Sequence, residues 1–243
     1  MARLAAKETE SDEPLADVHP LTGHQTLEEQ SYMEMRRLIT EGSLHPGDRI
    51  SVNAMAKRLA VSRLPVIHAL RRLASEGFVQ IRPHKNVVVA KPTLKDMRGQ
   101  FLMFAALEEV ALREAWPLAP DAIARLDGAY QRHARELEAG AFGEDTDGAF
   151  HEVIWRAAGI EYLYTTIHTL WNLTAYYRML VYKGNASGRQ ESITEHQAIL
   201  RALQNGDLEG AIAHSRGHRL NSLRRVEHVM TEVMAATDVS PAV

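Results

Sequence analysis

Apolar residues recur at helical spacing along most of the chain, with one alternating stretch between the third and fourth of these runs. Thr26 and Glu29 form a capping-box pattern ahead of the first run, which predicts a helix from Leu27 to about Glu41, ended by Gly42. Pro46-Gly47 marks a turn. Ser51 is placed to cap a short helix through about Leu59. Ser62 is placed to cap another, with Pro65 in its first turn and Gly77 at its end. The alternation Val79-Gln80-Ile81-Arg82 and the β-branched Val87-Val88-Val89 flank Pro83-His84-Lys85-Asn86, a β-hairpin with a basic tip.

Beyond Pro92 only helical patterning remains. Thr93 can cap the first of six helices: Leu94–Ala115, Pro120–Ala139, Asp145–Ala158, Ile160–Tyr182, Arg189–Asn205 and Leu208–Ala235. Short connections between them imply an antiparallel bundle. The expected fold is therefore mainly α, an N-terminal winged helix-turn-helix followed by an antiparallel bundle of six to seven helices. Residues 1–24 are polar and aperiodic and read as a flexible tail. The winged unit takes 25–92, the bundle 93–236, and 237–243 fray.

Composition narrows the classes. The 243 residues include no cysteine, which excludes disulfides and thiolate metal sites. No apolar run approaches a membrane span and no signal-peptide pattern opens the chain, so a cytoplasmic protein is expected. The net charge of −3 is uneven. Residues 25–92 hold eleven lysines and arginines against six carboxylates, a balance of +5 that leaves −8 for the rest. A basic segment on an acidic body suits a polyanion partner for that segment alone.

Two groups of residues carry candidate chemistry. Ser62 and Arg63 stand at the mouth of the third helix, where an arginine can bind guanine through two hydrogen bonds and a serine can reach a phosphate. The hairpin-tip residues His84 and Lys85 complete the candidate DNA face. In the bundle, Asp147 and His151 are four residues apart and share a helix face, while His196 and His218 lie in later helical runs. One carboxylate and three imidazoles on facing helices suit zinc, nickel, manganese or iron. By spacing alone, the same residues also serve as packed or surface side chains.

The string LHPGDRI, then LAVSRLPV, then ALRRLASEGFVQIRP resembles the DNA-binding domain of the GntR family of bacterial transcription regulators, over about Leu27 to Ala90. Ile67 and His68 stand where the family often has arginine and glutamate, and Asn53, which the resemblance places with Pro65 on the DNA face, replaces a frequent arginine. The bundle resembles the FCD ligand-sensing domain of the FadR subgroup, through Asp147-Gly148-Ala149-Phe150-His151, Glu195 to Leu203, and Gly206-Asp207 through Ala211 to His218-Arg219-Leu220. That resemblance implies a divalent metal, zinc first, on Asp147, His151, His196 and His218. It also implies a small carboxylate effector above the metal. Arg178 is the residue expected to pair with that acid, and Asn172, Tyr176, Trp171 and Tyr177 are candidate cavity walls. Phe104 takes the place of an arginine frequent in the family, and the usual asparagine is replaced near Ile160-Glu161.

The implied function is a ligand-controlled regulator, a repressor binding a palindromic operator as a homodimer, and not an enzyme. The competing reading is a metalloenzyme with an appended winged helix, using Glu152 or Glu195 as base. Each is adjacent in sequence to a candidate ligand, about 100° around the helix, and is expected to point away from the metal.

Overall fold

A computed structural model describes residues 26–81, 87–140, 144–183 and 185–238. They fall into two compact units, on either side of Ala90 and Lys91.

In the first unit, α1 (Leu27–Thr40), α2 (Val52–Leu59) and α3 (Arg63–Ser75) accompany a three-stranded antiparallel sheet. Thr26 and Ser51 cap α1 and α2 as the pattern predicts, accepting from the backbone N–H of Glu29 and Ala54 at 3.1 and 3.2 Å. Ser62 occupies the N-cap position of α3 but makes no side-chain capping hydrogen bond, contrary to expectation. Its hydroxyl is not spent on the helix. Pro65 is the third residue of α3, where the missing N–H has no intrahelical partner to lose. Between α2 and α3, Ala60 turns the chain in the left-handed region at φ 56°, a conformation that costs an L-residue roughly 1–2 kcal/mol.

The hairpin strands are β2 (Val79–Ile81) and β3 (Val87–Val89), with Gln80 opposite Val88. A third strand, β1 (Arg49–Ile50), adds to the other edge of β3, giving the order β1-β3-β2. Two residues are too few to show a period, so the pattern does not predict it. Met35, Leu38, Met55, Leu59, Val66, Leu70, Leu73, Phe78 and Val89 bury the apolar stripes of these elements. His84 and Lys85 lie outside the described residues.

The second unit holds α4 (Leu94–Glu114), α5 (Pro120–Glu138), α6 (Glu144–Ala157), α7 (Glu161–Tyr182), α8 (Ala186–Gln204) and α9 (Leu208–Asp238). Thr93 and Asp96 close a reciprocal capping box on α4. The α8 helix begins three residues earlier than expected, because the Asn185 side chain accepts from the Gly188 N–H at 2.8 Å and caps it there. The last helix runs past Ala235 to Asp238. Packing pairs α4 with α7 and α9, α8 with α5 and α9, and α5 with α6. One apolar cluster joins Phe104, Leu126, Phe150, Trp155, Ile167, Trp171 and Ile199. A second joins Met97, Phe101, Tyr177, Val181, Leu223 and Met230. Among the described residues no helix is long and apolar enough to cross a membrane.

Candidate functional site

In the first unit the N-terminal end of α3 is open. Ser62, Arg63 and Leu64 are exposed, and Arg63, Ile67 and Arg71 follow at four-residue spacing along one helix face. Asn53 is exposed near the start of α2. The rest of the helix is tied inward. Arg72 stacks on the Tyr32 ring at 3.6 Å and binds Glu29 and Glu76 at 2.7 and 3.1 Å. His68, one of the departures from the family pattern, sits 3.0 Å from Glu28 on α1. It therefore helps join α1 to α3.

In the second unit four helices deliver buried polar groups to one point. Asp147 and His151 come from α6, His196 from α8 and His218 from α9, each no more than 2% exposed. Asp147 Oδ1 lies 3.6 Å from His196 Nε2 and 3.9 Å from His151 Nε2, and those two nitrogens are 2.9 Å apart. The His218 ring centroid is 4.5 Å from that of His196 and 5.2 Å from that of His151. A fifth group joins them that sequence reasoning missed. His133 of α5 places Nε2 3.5 Å from Asp147 Oδ1. Its signal was available, since Leu126, Ala129, Tyr130, His133 and Leu137 form the buried stripe of α5.

The outer nitrogens of three rings lie near oxygens, and those of His218 and His133 are hydrogen-bonded to them. His218 Nδ1 is 2.7 Å from Glu195 Oε2, which Arg225 also binds at 2.9 Å. His151 Nδ1 is 3.2 Å from Glu108 Oε1. Glu108 in turn accepts from Arg219, Ser215 and Trp155 at 2.7 to 3.0 Å. His133 Nδ1 is 3.2 Å from Thr146 Oγ1. The carboxylate on His218 Nδ1 favours the tautomer whose Nε2 carries a lone pair, the form a metal requires.

Electrostatics agree with that protonation pattern. Burial holds His133, His151 and His196 below the ordinary imidazole value, His151 at about 3, so the rings are neutral near pH 7. Burial also raises Asp147, but the neighbouring imidazoles in their protonated form, His133 first, together with Arg178 outweigh it and keep the carboxyl low. With the rings neutral, Arg178 is the permanent cation facing it, Nε to Oδ2 at 3.9 Å. Glu108 is likewise pushed up by burial and drawn well below the carboxylate range by Arg219 and His151. Asp147 Oδ1, His133 Nε2, His151 Nδ1 and His196 Nδ1 make no hydrogen bond. A buried carboxylate oxygen among lone-pair nitrogens is costly by itself and is what a divalent cation would satisfy. The donor set fits such an ion.

The candidate effector residues divide. Arg178 is buried beside Asp147, its guanidinium 3.4 Å above the Trp171 ring, with Nη1 donating to the Trp171 carbonyl and to Thr174 Oγ1. Asn172 is buried with its amide nitrogen 3.2 Å from His168 Nδ1 and its Oδ1 unpaired. Tyr176 is two residues from Arg178, about 200° around the helix. It packs with Tyr177 against the Met97–Phe101 cluster instead of sharing the Arg178 face. Glu152 lies away from the donors, and Glu195 touches the outer nitrogen of His218. Glu152 binds Arg156 and Tyr164, and Glu195 binds α9.

The comparisons with known proteins coincide with these two units. Residues 27–89 match the family described as bacterial regulatory proteins, gntR family, and residues 101–221 match the FCD domain. The chain belongs to the GntR family of transcriptional regulators and carries an FCD domain. It is a DNA-binding regulator and not an enzyme. It is 25% identical to the HTH-type transcriptional regulator YdhC of Bacillus subtilis (strain 168), over 84% of this chain and 92% of that protein. Its identity to the HTH-type transcriptional repressor RspR of Escherichia coli (strain K12) is 27%, over 75% and 81%. Among solved structures, E. coli McbR/YncC superposes with a TM-score of 0.66 at 21% identity, covering 88% of this chain and 99% of that one. A GntR regulator of Rhodococcus sp. RHA1 gives 0.67 at 20% identity, covering 82% and 96%. These likenesses establish the fold.

Proposed function

We propose that this GntR regulator is a cytoplasmic, metal-containing repressor that binds a palindromic operator as a homodimer and is controlled by a small carboxylate. The observation that carries the reading is the convergence of Asp147 Oδ1 with His151 Nε2 and His196 Nε2 inside 3.9 Å, in a core where neither acid nor imidazole meets solvent. Asp147, His151, His196 and His218 would hold the ion, zinc first. When bound, it supplies a Lewis-acid position for an oxygen of the effector. Arg178 would balance the acid's charge, since it already lies beside Asp147.

On the DNA side, Arg63 and Ser62 at the open mouth of α3 would meet a guanine edge and a phosphate. Two such units reading two half-sites require two copies. Exposed Leu102, Met103 and Val110 on α4 offer an apolar face for the second copy. The name of RspR favours repression over activation. Control follows from differential affinity of the acid for the DNA-competent and DNA-incompetent arrangements.

The test is fluorescence anisotropy on a duplex selected from a random pool by the purified protein, against scrambled DNA over a salt series. Tight, sequence-dependent binding that small carboxylates weaken in the presence of Zn2+, and not after chelation, supports the whole reading. Effector release that is indifferent to chelation contradicts the metal part.

A further inference from the structure

We propose that His133 is a fifth protein ligand, so that the bundle ion is held by four imidazoles and one carboxylate. The inference rests on the assignment of Asp147, His151, His196 and His218 as ligands and extends it.

Hydrogen-bond logic carries it. His133 is 1% exposed, and its Nδ1 faces Thr146 Oγ1 at 3.2 Å. The Thr146 hydroxyl has a single proton and donates it to Glu136 Oε2 at 2.6 Å. Toward His133 it can then only accept. The imidazole proton therefore sits on Nδ1, and Nε2 presents a lone pair. Nε2 lies 3.5 Å from Asp147 Oδ1, another atom that can only accept. Neither atom has a hydrogen-bond partner. Two acceptors facing each other in a dry core repel, and a cation between them removes the conflict.

Two three-residue donor groups share His196. His133, Asp147 and His196 each offer a ligand atom, and these lie within 4.8 Å of one another, as do those of His151, His196 and His218. The His133 and His196 ring centroids are 5.1 Å apart. Thr146 and Glu136 do for His133 what Glu195 does for His218: they fix the far nitrogen and so the direction of the near one. The consequence concerns the effector. Five protein donors leave a six-coordinate ion one open position, so the acid binds through a single oxygen and Arg178 faces its remaining charge.

Co2+ titrated into the chelator-treated full-length protein tests this, with affinity read by competition with a chromophoric chelator and geometry by the visible absorption bands. His133→Ala and His133→Gln are expected to alter the bands and weaken binding roughly tenfold or more, at least what loss of an outer-shell partner costs. Thr146→Val, which frees the tautomer, is expected to weaken binding with His133 still present. Unchanged affinity and bands in the His133 variants, with wild-type binding intact, overturn the His133 ligand and leave the other four standing. No Co2+ binding by wild type overturns both. If the variants fail to fold, X-ray absorption on the Zn2+-loaded wild type decides. Four imidazoles support the proposal, and three overturn it.

Discussion

Arg219 closes on Glu108 through two hydrogen bonds of 2.8 and 2.7 Å, and the pair is buried. The arginine lies 4.0 Å over the Phe104 ring, so a cation reaches the core from α9 where Phe104 supplies only an aromatic face from α4. Glu108 also receives Ser215 and Trp155 and stands 3.2 Å from His151. The ion pair is thus the outer wall of the histidine cluster. Removing one partner strands the other. Arg219→Met is expected to cost about 3–5 kcal/mol in urea denaturation, and Glu108→Gln added to it to recover much of that loss. A cost for Arg219→Met below about 1 kcal/mol would mean the pair does not brace the core.

Much of this architecture is legible in the chain. Thr26, Ser51 and Thr93 announce their helices because a cap is a local event, settled within three residues. Asp147 and His151 announce themselves by a shared helix face. Strand β1 does not, since Arg49 and Ile50 owe their pairing to β3. Glu108, Glu195 and Thr146 act on the cluster only through tertiary contact. His133 was readable as a polar residue in an apolar stripe, yet nothing local ties it to Asp147. Tyr176, a candidate cavity wall, packs on the Met97 and Phe101 cluster of the bundle, a placement that only tertiary contact reveals.

Acid should destabilise the chelated protein well above the carboxylate range. His151 falls to about 3 through burial and Arg219, against the opposing pull of Glu108, while an unfolded imidazole titrates near 6.5. Between those values the unfolded chain binds more protons, so stability falls as pH falls. His133 and His196 act in the same direction. Melting in EDTA is expected to decline steadily from about pH 6.5 to 4.5. Asp147 and Glu108, whose carboxyls are held low, add their loss only below that window. His151→Gln is expected to flatten the slope, and a melting temperature independent of pH across the window would contradict the neutral-histidine assignment.

Arg63 stands exposed at the mouth of α3, and Lys57 is an exposed cation in the last turn of α2, so a base contact is predicted for the first and a phosphate contact for the second. Arg63→Ala is expected to cost about 1–3 kcal/mol on a selected operator and to relax preference at one base pair. Lys57→Ala is expected to weaken all duplexes alike and reduce the salt slope by about one. Neither should shift the melting temperature noticeably. Equal losses on operator and scrambled DNA for Arg63→Ala would remove it from base reading.

The apolar face of α4 predicts the assembly. Met103→Glu places a charge among Leu102, Met103 and Val110, which are 43 to 52% exposed. Light scattering is expected to show a dimer for the wild type and a monomer for the variant, with the helical signal unchanged. A variant that remains dimeric moves the interface elsewhere.

The central claim is that the buried acid and imidazoles hold a metal, and equilibrium dialysis against Zn2+ followed by elemental analysis tests it most directly. One ion per chain is predicted for the wild type. Asp147→Ala and His196→Ala, checked for folding by circular dichroism, are predicted to retain little or none. A wild-type protein that emerges without zinc, or variants that retain it in full, would contradict the account.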